Sequence, residues 1–177
     1  MDKNIMRKHV KELMSNLSNE YCQKSDELIY QKLINSKEFQ KAKILFIYVS
    51  KDKEVDSKKI IEYSLNKNKI ICVPKCIDNN MKVYRIESLS DLEPGNFNIL
   101  EPKSYCKEID KKDIDLNIIP CLTCDENGNR LGYGKGYYDR FLSDIDSLKI
   151  CLCRKKLLQK AINFNEHDIK MNIIITD

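Results

Sequence analysis

Strand-like and helix-like segments alternate along the 177-residue chain, and this order predicts an α/β fold with a mostly parallel sheet covered on both faces. Two further observations agree. The run from Lys43 to Val49 is strongly β-type and apolar on both faces, as a parallel strand buried between helix layers is. Four of the five glycines fall at positions 128–136, between a strand-like and a helix-like segment, where ligands collect in such sheets.

Each element has its own signal. Residues 2–15 carry Ile5, Val10 and Leu13 at roughly helical spacing. Ser18 caps a second helix to about Ile34, with Tyr21, Leu28, Ile29 and Leu33 apolar. After the Lys43–Val49 strand, Asp56 or Ser57 caps a helix to about Asn66 that carries Ile60, Ile61 and Leu65. Lys69 to Val73 is the next strand, closed by Pro74, and Lys82 to Ile86 alternates as a strand at a sheet edge does. Ile114 to Ile119 is strand-like and ends at Pro120. Tyr137 to Leu142 begins a helix, Leu148 to Cys153 is a strand, and Asn172 to Thr176 is the last. No linker, repeat or low-complexity tract divides the chain, so residues 1–177 are expected to form one domain.

Composition narrows the function classes. No apolar run approaches the roughly 20 residues of a membrane span, and the N-terminal Met1-Asp-Lys-Asn-Ile-Met-Arg-Lys8 lacks the apolar core of a signal peptide. A cytoplasmic protein with no membrane partner is the expectation. The net charge of +4 comes from 31 basic and 27 acidic residues that are interspersed, without the dense basic stripe or aromatic interleaving of a nucleic-acid binder. An anionic small molecule suits that balance as well. The eight cysteines are expected to be reduced. Cys121-Leu-Thr-Cys124 has the spacing of half a zinc site, but neither Cys72/Cys76 nor Cys151/Cys153 has the spacing of the other half. Cys72, Cys151 and Cys153 lie in apolar strand-like runs, which favours buried thiols acting as small hydrophobes.

The sequence Arg130-Leu-Gly-Tyr-Gly-Lys-Gly-Tyr-Tyr-Asp139 is the most informative stretch. Clustered glycines mark a backbone that turns with positive φ or admits a close approach. The loop leads into a helix start, whose N–H groups and dipole favour an anion, and Lys135 adds a point charge suited to phosphate. The spacing matches neither the dinucleotide fingerprint nor the P-loop, so by itself it supports only an anion-binding loop. Asp139 is either a first-turn acid that complements the dipole or an oxygen ligand for Mg²⁺ beside a nucleotide.

The string Asn129 to Leu142, preceded by Pro120 and by Asp125-Glu-Asn-Gly128, closely resembles the signature of the 5-formyltetrahydrofolate cyclo-ligase family. Lys3 and Arg7, the segment Ile47-Tyr-Val-Ser50 with Glu54, and Asn165-Glu-His-Asp-Ile-Lys170 extend the likeness over essentially the whole chain. The resemblance implies a Rossmann-like three-layer sandwich, similar to CoA-transferase and ribose-phosphate isomerase. It implies conversion of 5-formyltetrahydrofolate, with ATP and Mg²⁺, to 5,10-methenyltetrahydrofolate, ADP and phosphate. In the mechanism that the resemblance implies, the formyl oxygen attacks the γ-phosphorus, N10 closes on the activated carbon, and phosphate departs.

Residue by residue, the resemblance implies that Lys3, Arg7 and the loop Arg130, Leu131, Gly132, Tyr133, Gly134, Lys135, Gly136, Tyr137 and Tyr138 bind ATP. Arg130 and Lys135 would neutralise charge on the transferring phosphoryl group. Val49, Glu54, Tyr133, Gly134, Lys135, Gly136 and Tyr137 would line the folate site, and Asp139 and Asp168 would hold Mg²⁺. A monomer acting on a folate, with or without a γ-glutamyl tail, is the expected unit. The chain departs from the family pattern at Cys121 (Gly in the family), Cys124 (Phe), Arg154 (within a small-and-Phe stretch) and Asn163 (Pro). These departures leave open an ATP-dependent enzyme of the same fold with a different substrate, and a folate- or nucleotide-binding protein without turnover.

Overall fold

The computed structural model of the protein describes residues 2–95 and 98–177. Helices α1 (Lys3–Ser15), α2 (Asn19–Ile34) and α3 (Lys37–Lys41) precede strand β1 (Ile44–Ile47). Helix α4 (Lys58–Asn66) leads to β2 (Ile70–Ile77) and β3 (Asn80–Ile86). The hairpin of β4 (Leu92–Pro94) and β5 (Leu100–Pro102) follows, and then β6 (Leu116–Pro120). A short hairpin of β7 (Thr123–Cys124) and β8 (Arg130–Leu131) comes before α5 (Tyr137–Leu142), β9 (Leu148–Leu152) and β10 (Ile173–Ile175).

The main sheet has the order β10-β9-β6-β1-β2-β3 and is parallel except for the edge strand β3. From β1 the chain steps outward to β2 and β3, then returns to the other side of β1 with β6 and steps outward again to β9 and β10. The winding direction therefore reverses between β1 and β6, and a crevice opens beyond the carboxyl ends of those strands.

Two apolar clusters flank the sheet. One holds Ile29 and Leu33 of α2 and Ile60 and Ile61 of α4 against Leu45, Ile47, Ile118 and Ile150. The other holds Met6 and Val10 of α1 and Phe141 and Leu142 of α5 against Phe46, Ile119 and Cys151. Phe46 and Phe141 stack with ring centroids 4.9 Å apart, a contact whose loss to alanine costs about 3–5 kcal/mol. Helix, sheet and helix form three layers, as the α/β reading requires.

The caps follow the expected chemistry. Asp2 accepts from the amides of Asn4 and Ile5, and Ser18 accepts from Tyr21. At α4 Ser57 stands at the N-cap position but makes no side-chain cap, and Asp56 serves the first helical amide instead. Asp56 Oδ1 accepts the Lys58 amide at 3.0 Å, while Ser57 Oγ accepts the Ser50 amide at 2.8 Å and ties the helix start to the chain beyond β1.

Three expectations need correction. Pro74 does not close β2, which continues to Ile77: β1 pairs with β2 only at residues 70–72, so Pro74 lies beyond it and needs no N–H on that side. Ile5 and Leu28 are exposed, because the buried stripes run through Met6 and Val10 on α1 and through Ser25, Ile29 and Leu33 on α2. The glycine loop does not leave β6 directly, since the β7–β8 hairpin stands between them. Helix α3 and the two small hairpins carried no periodic signal in the sequence.

Candidate active site

One cleft of about 1200 Å³ opens at the crevice. Its floor is the chain just beyond β1 (Tyr48, Val49) and the end of β6 (Pro120), and one wall is the loop from Arg130 to Asp139. Lys3 and Arg7 reach it from α1, Glu54 from the segment after β1, and Asp168 from the stretch before β10. Every residue that the sequence nominates for nucleotide, folate or metal thus lines a single cavity. Sequence reasoning passed over the opposite wall of Pro74, Cys76, Met81, Ile99 and Glu101, which comes from β2, β3, β5 and the residue just before β5. Such scattered positions leave no local pattern to find.

The glycines do the work their clustering suggests. Gly134 and Gly136 have φ of 104° and 68°, in the left-handed region that side chains disfavour. A β-carbon on Gly132 would stand 2.9 Å from Arg130 Nη1, so a side chain there would push the guanidinium aside. Gly136 caps α5, which has only six residues. So short a helix supplies little macrodipole, and the loop's cationic side chains carry more of any anion binding than the sequence reading assigns them.

Charge is organised in pairs. Arg130, almost fully buried, donates from Nη2 to Asp139 Oδ1 at 3.0 Å and lies over the Tyr138 ring at 5.5 Å. Its Nε is buried and has no hydrogen-bond partner among the described residues. Arg7 Nε donates to the Gly132 carbonyl at 3.0 Å, which fastens α1 to the glycine loop. Lys3 pairs with Asp168, whose Oδ2 also accepts the Asn165 amide at 2.6 Å. The Ile169 amide donates to Asp139 Oδ1 at 3.4 Å, so the segment that bears Asp168 is tied to Asp139 across the cleft. Two carboxylates from distant stretches of chain are thereby brought together, a hard oxygen donor set of the kind Mg²⁺ takes along with phosphate oxygens and water.

Glu54 accepts the Lys51 amide at 3.0 Å and a hydrogen bond from the Tyr133 hydroxyl. Burial raises its carboxyl above the ordinary range, and those hydrogen bonds only partly oppose the rise. Tyr138 is also pushed upward, first by burial and then by the Glu54 charge, and stays a neutral phenol. Arg154 completes the arrangement from behind. It donates to the carbonyls of Lys53 (3.1 Å), Glu54 (2.9 Å) and Cys22 (3.0 Å) and pairs with Asp26 at 2.9 Å. A residue at which the chain departs from the family pattern thus holds the backbone that presents Glu54.

The chain is similar to known proteins over its whole length. Among the solved structures, the 5,10-methenyltetrahydrofolate synthetase of Aquifex aeolicus superposes with a TM-score of 0.89 at 31% identity, over 99% of this chain and 89% of its own. That of Mycoplasma pneumoniae, at 24% identity and a TM-score of 0.81, shares the fold over 100% of this chain and 99% of its own. The 5-formyltetrahydrofolate cyclo-ligase of Mus musculus is 29% identical over 96% of this chain and 91% of its own. A probable cyclo-ligase of Schizosaccharomyces pombe is 26% identical over 99% and 95%. The model of the 5-formyltetrahydrofolate cyclo-ligase family matches residues 1–177. With its signature loop, its three-layer fold and the cleft between them, the chain belongs to the 5-formyltetrahydrofolate cyclo-ligase family.

Proposed function

We propose that the cleft closes 5-formyltetrahydrofolate to 5,10-methenyltetrahydrofolate at the expense of ATP, with residues 1–177 working as one domain and a monomer in the cytoplasm. The observation that carries this reading is the convergence of α1, the segment after β1, the glycine loop and the segment before β10 on one cavity.

In this reading the triphosphate lies along the glycine loop, where Lys3, Arg7 and Lys135 meet its charge. The folate lies against Val49 and Tyr133, with the Glu54 carboxylate accepting N–H groups of the pterin edge. The formyl oxygen attacks the γ-phosphorus as its bond to the ADP oxygen breaks. N10 then attacks the activated carbon and loses its proton, and phosphate leaves with the former formyl oxygen. Arg130 and Lys135 stabilise the charge that spreads over the phosphoryl oxygens. Asp139 and Asp168 would hold a Mg²⁺ ion, which when bound neutralises phosphate charge.

The test is methenyl-folate absorbance with protein, 5-formyltetrahydrofolate, Mg²⁺ and ATP, against a control without ATP. An ATP-dependent rise with stoichiometric ADP is expected. Folded protein that binds both ligands without a rise would leave a binding protein or a different substrate. Sedimentation of the active protein at one chain mass checks the monomer.

A further inference from the structure

Four cysteines meet on one face of the sheet, outside the catalytic cleft. Cys151 and Cys153 are two apart along the β9 run, so they point to the same side. Ile119 of β6 is in register with Cys151, which puts Cys121, two residues further on, beside Cys153 on that side. The β7–β8 hairpin then folds Cys124 over them. The Sγ atoms of Cys121, Cys124 and Cys151 all lie within 4.8 Å of one another. Cys153 stands beside Cys121 in strand register but outside that 4.8 Å group, with its thiol donating to the Arg154 carbonyl at 3.6 Å, so its side chain must turn to join the other three. All four are buried, Cys121 the least at 8% exposure.

We propose that Cys121, Cys124, Cys151 and Cys153 form a tetrahedral thiolate site for zinc. Zinc binds four cysteine sulfurs at about 2.3 Å, which sets sulfur–sulfur separations near 3.8 Å. The three-sulfur cluster needs a contraction of about 1 Å at most to reach that geometry. Binding displaces four thiol protons to solvent and leaves a site of net charge −2. The Arg130 guanidinium lies close enough to act on the Cys151 charge, and its buried Nε has no hydrogen-bond partner among the described residues. Arg130, which also pairs with Asp139, would offset only part of that charge. The elements joined would be β9 and the β7–β8 hairpin, which carries Arg130 toward the cleft. Soft sulfur donors in a closed, dry pocket select zinc over the hard Mg²⁺ of the phosphate chemistry.

The experiment is an anaerobic titration of the reduced full-length protein with Co²⁺ as the spectroscopic probe, followed by Zn²⁺. One equivalent of Co²⁺ is expected to give a thiolate-to-metal charge-transfer band and the strong visible absorption of tetrahedral cobalt, and one equivalent of Zn²⁺ to abolish both. Zinc should also raise the thermal midpoint. The triple variant Cys22→Ser, Cys76→Ser, Cys106→Ser keeps the band if the core cluster is the site. Cys124→Ala and Cys151→Ala, verified as folded by circular dichroism, lose it. A wild-type protein that shows no charge-transfer band, or a band that survives in both alanine variants or vanishes in the triple serine variant, overturns the proposal.

Discussion

At the scale of single residues, Lys135 and Glu54 carry the sharpest expectations. Lys135 sits on an exposed loop and packs no core, so Lys135→Ala should lower turnover about 100-fold or more with an unchanged circular dichroism spectrum. Unchanged kinetics would remove it from the site. Glu54 titrates above the ordinary carboxylate range because burial disfavours its charge. If its carboxylate is the form that accepts the pterin N–H groups, the KM for folate should fall as pH rises through that raised value. In Glu54→Gln this dependence should vanish; a pH profile identical to wild type would place Glu54 outside the folate contact. Asp139→Asn weakens the Arg130 pair as well as any metal site, so a shifted Mg²⁺ titration is expected along with a lower kcat.

At the scale of elements, Arg154 governs the segment between β1 and α4. Its planar fork engages the carbonyls of Lys53 and Glu54 together with Asp26, an arrangement that lysine cannot reproduce. Arg154→Met leaves Asp26 without its cation and frees that backbone. It should cost about 3–5 kcal/mol in denaturant unfolding and raise the KM for folate more than the KM for ATP. Equal changes in both constants would show that the clamp does not act through Glu54. The glycine loop is an element of the opposite kind, shaped by backbone rather than side chains. Gly134 at φ 104° faces Arg7, with an added β-carbon 3.4 Å from its guanidinium.

Across the whole molecule, Asp125 ties the parts around the loop together. Fully buried, it accepts from the amides of Asn127, Asn129 and Ile162 and from the Asn129 side chain. Burial pushes its carboxyl upward, but these hydrogen bonds prevail and hold it below the ordinary range. A depressed folded-state pKa means stability that is present above the unfolded value and lost as pH falls through the folded one. Asp125→Asn should therefore cost about 2–4 kcal/mol at neutral pH and flatten the acid limb of the stability curve. A parallel acid limb in variant and wild type would assign that limb to other carboxylates.

The sequence by itself determined the alternation of strands and helices, the helix start at Ser18, and the glycine loop with its cations, because these signals are local. Caps depend on one side chain and a few amides, buried parallel strands on a short apolar run, and a positive-φ turn on its glycines. The loop string also carried the resemblance that assembled Lys3, Arg7, Glu54 and Asp168 into one site. Tertiary structure alone decided which apolar residues face inward, and so left Ile5 and Leu28 in solvent although both fit a helical stripe. It carried β2 through Pro74, since only the absence of a β1 partner there makes proline tolerable. It also brought four cysteines with unpromising sequence spacing onto one face, because strand register, and not distance along the chain, sets which side chains meet.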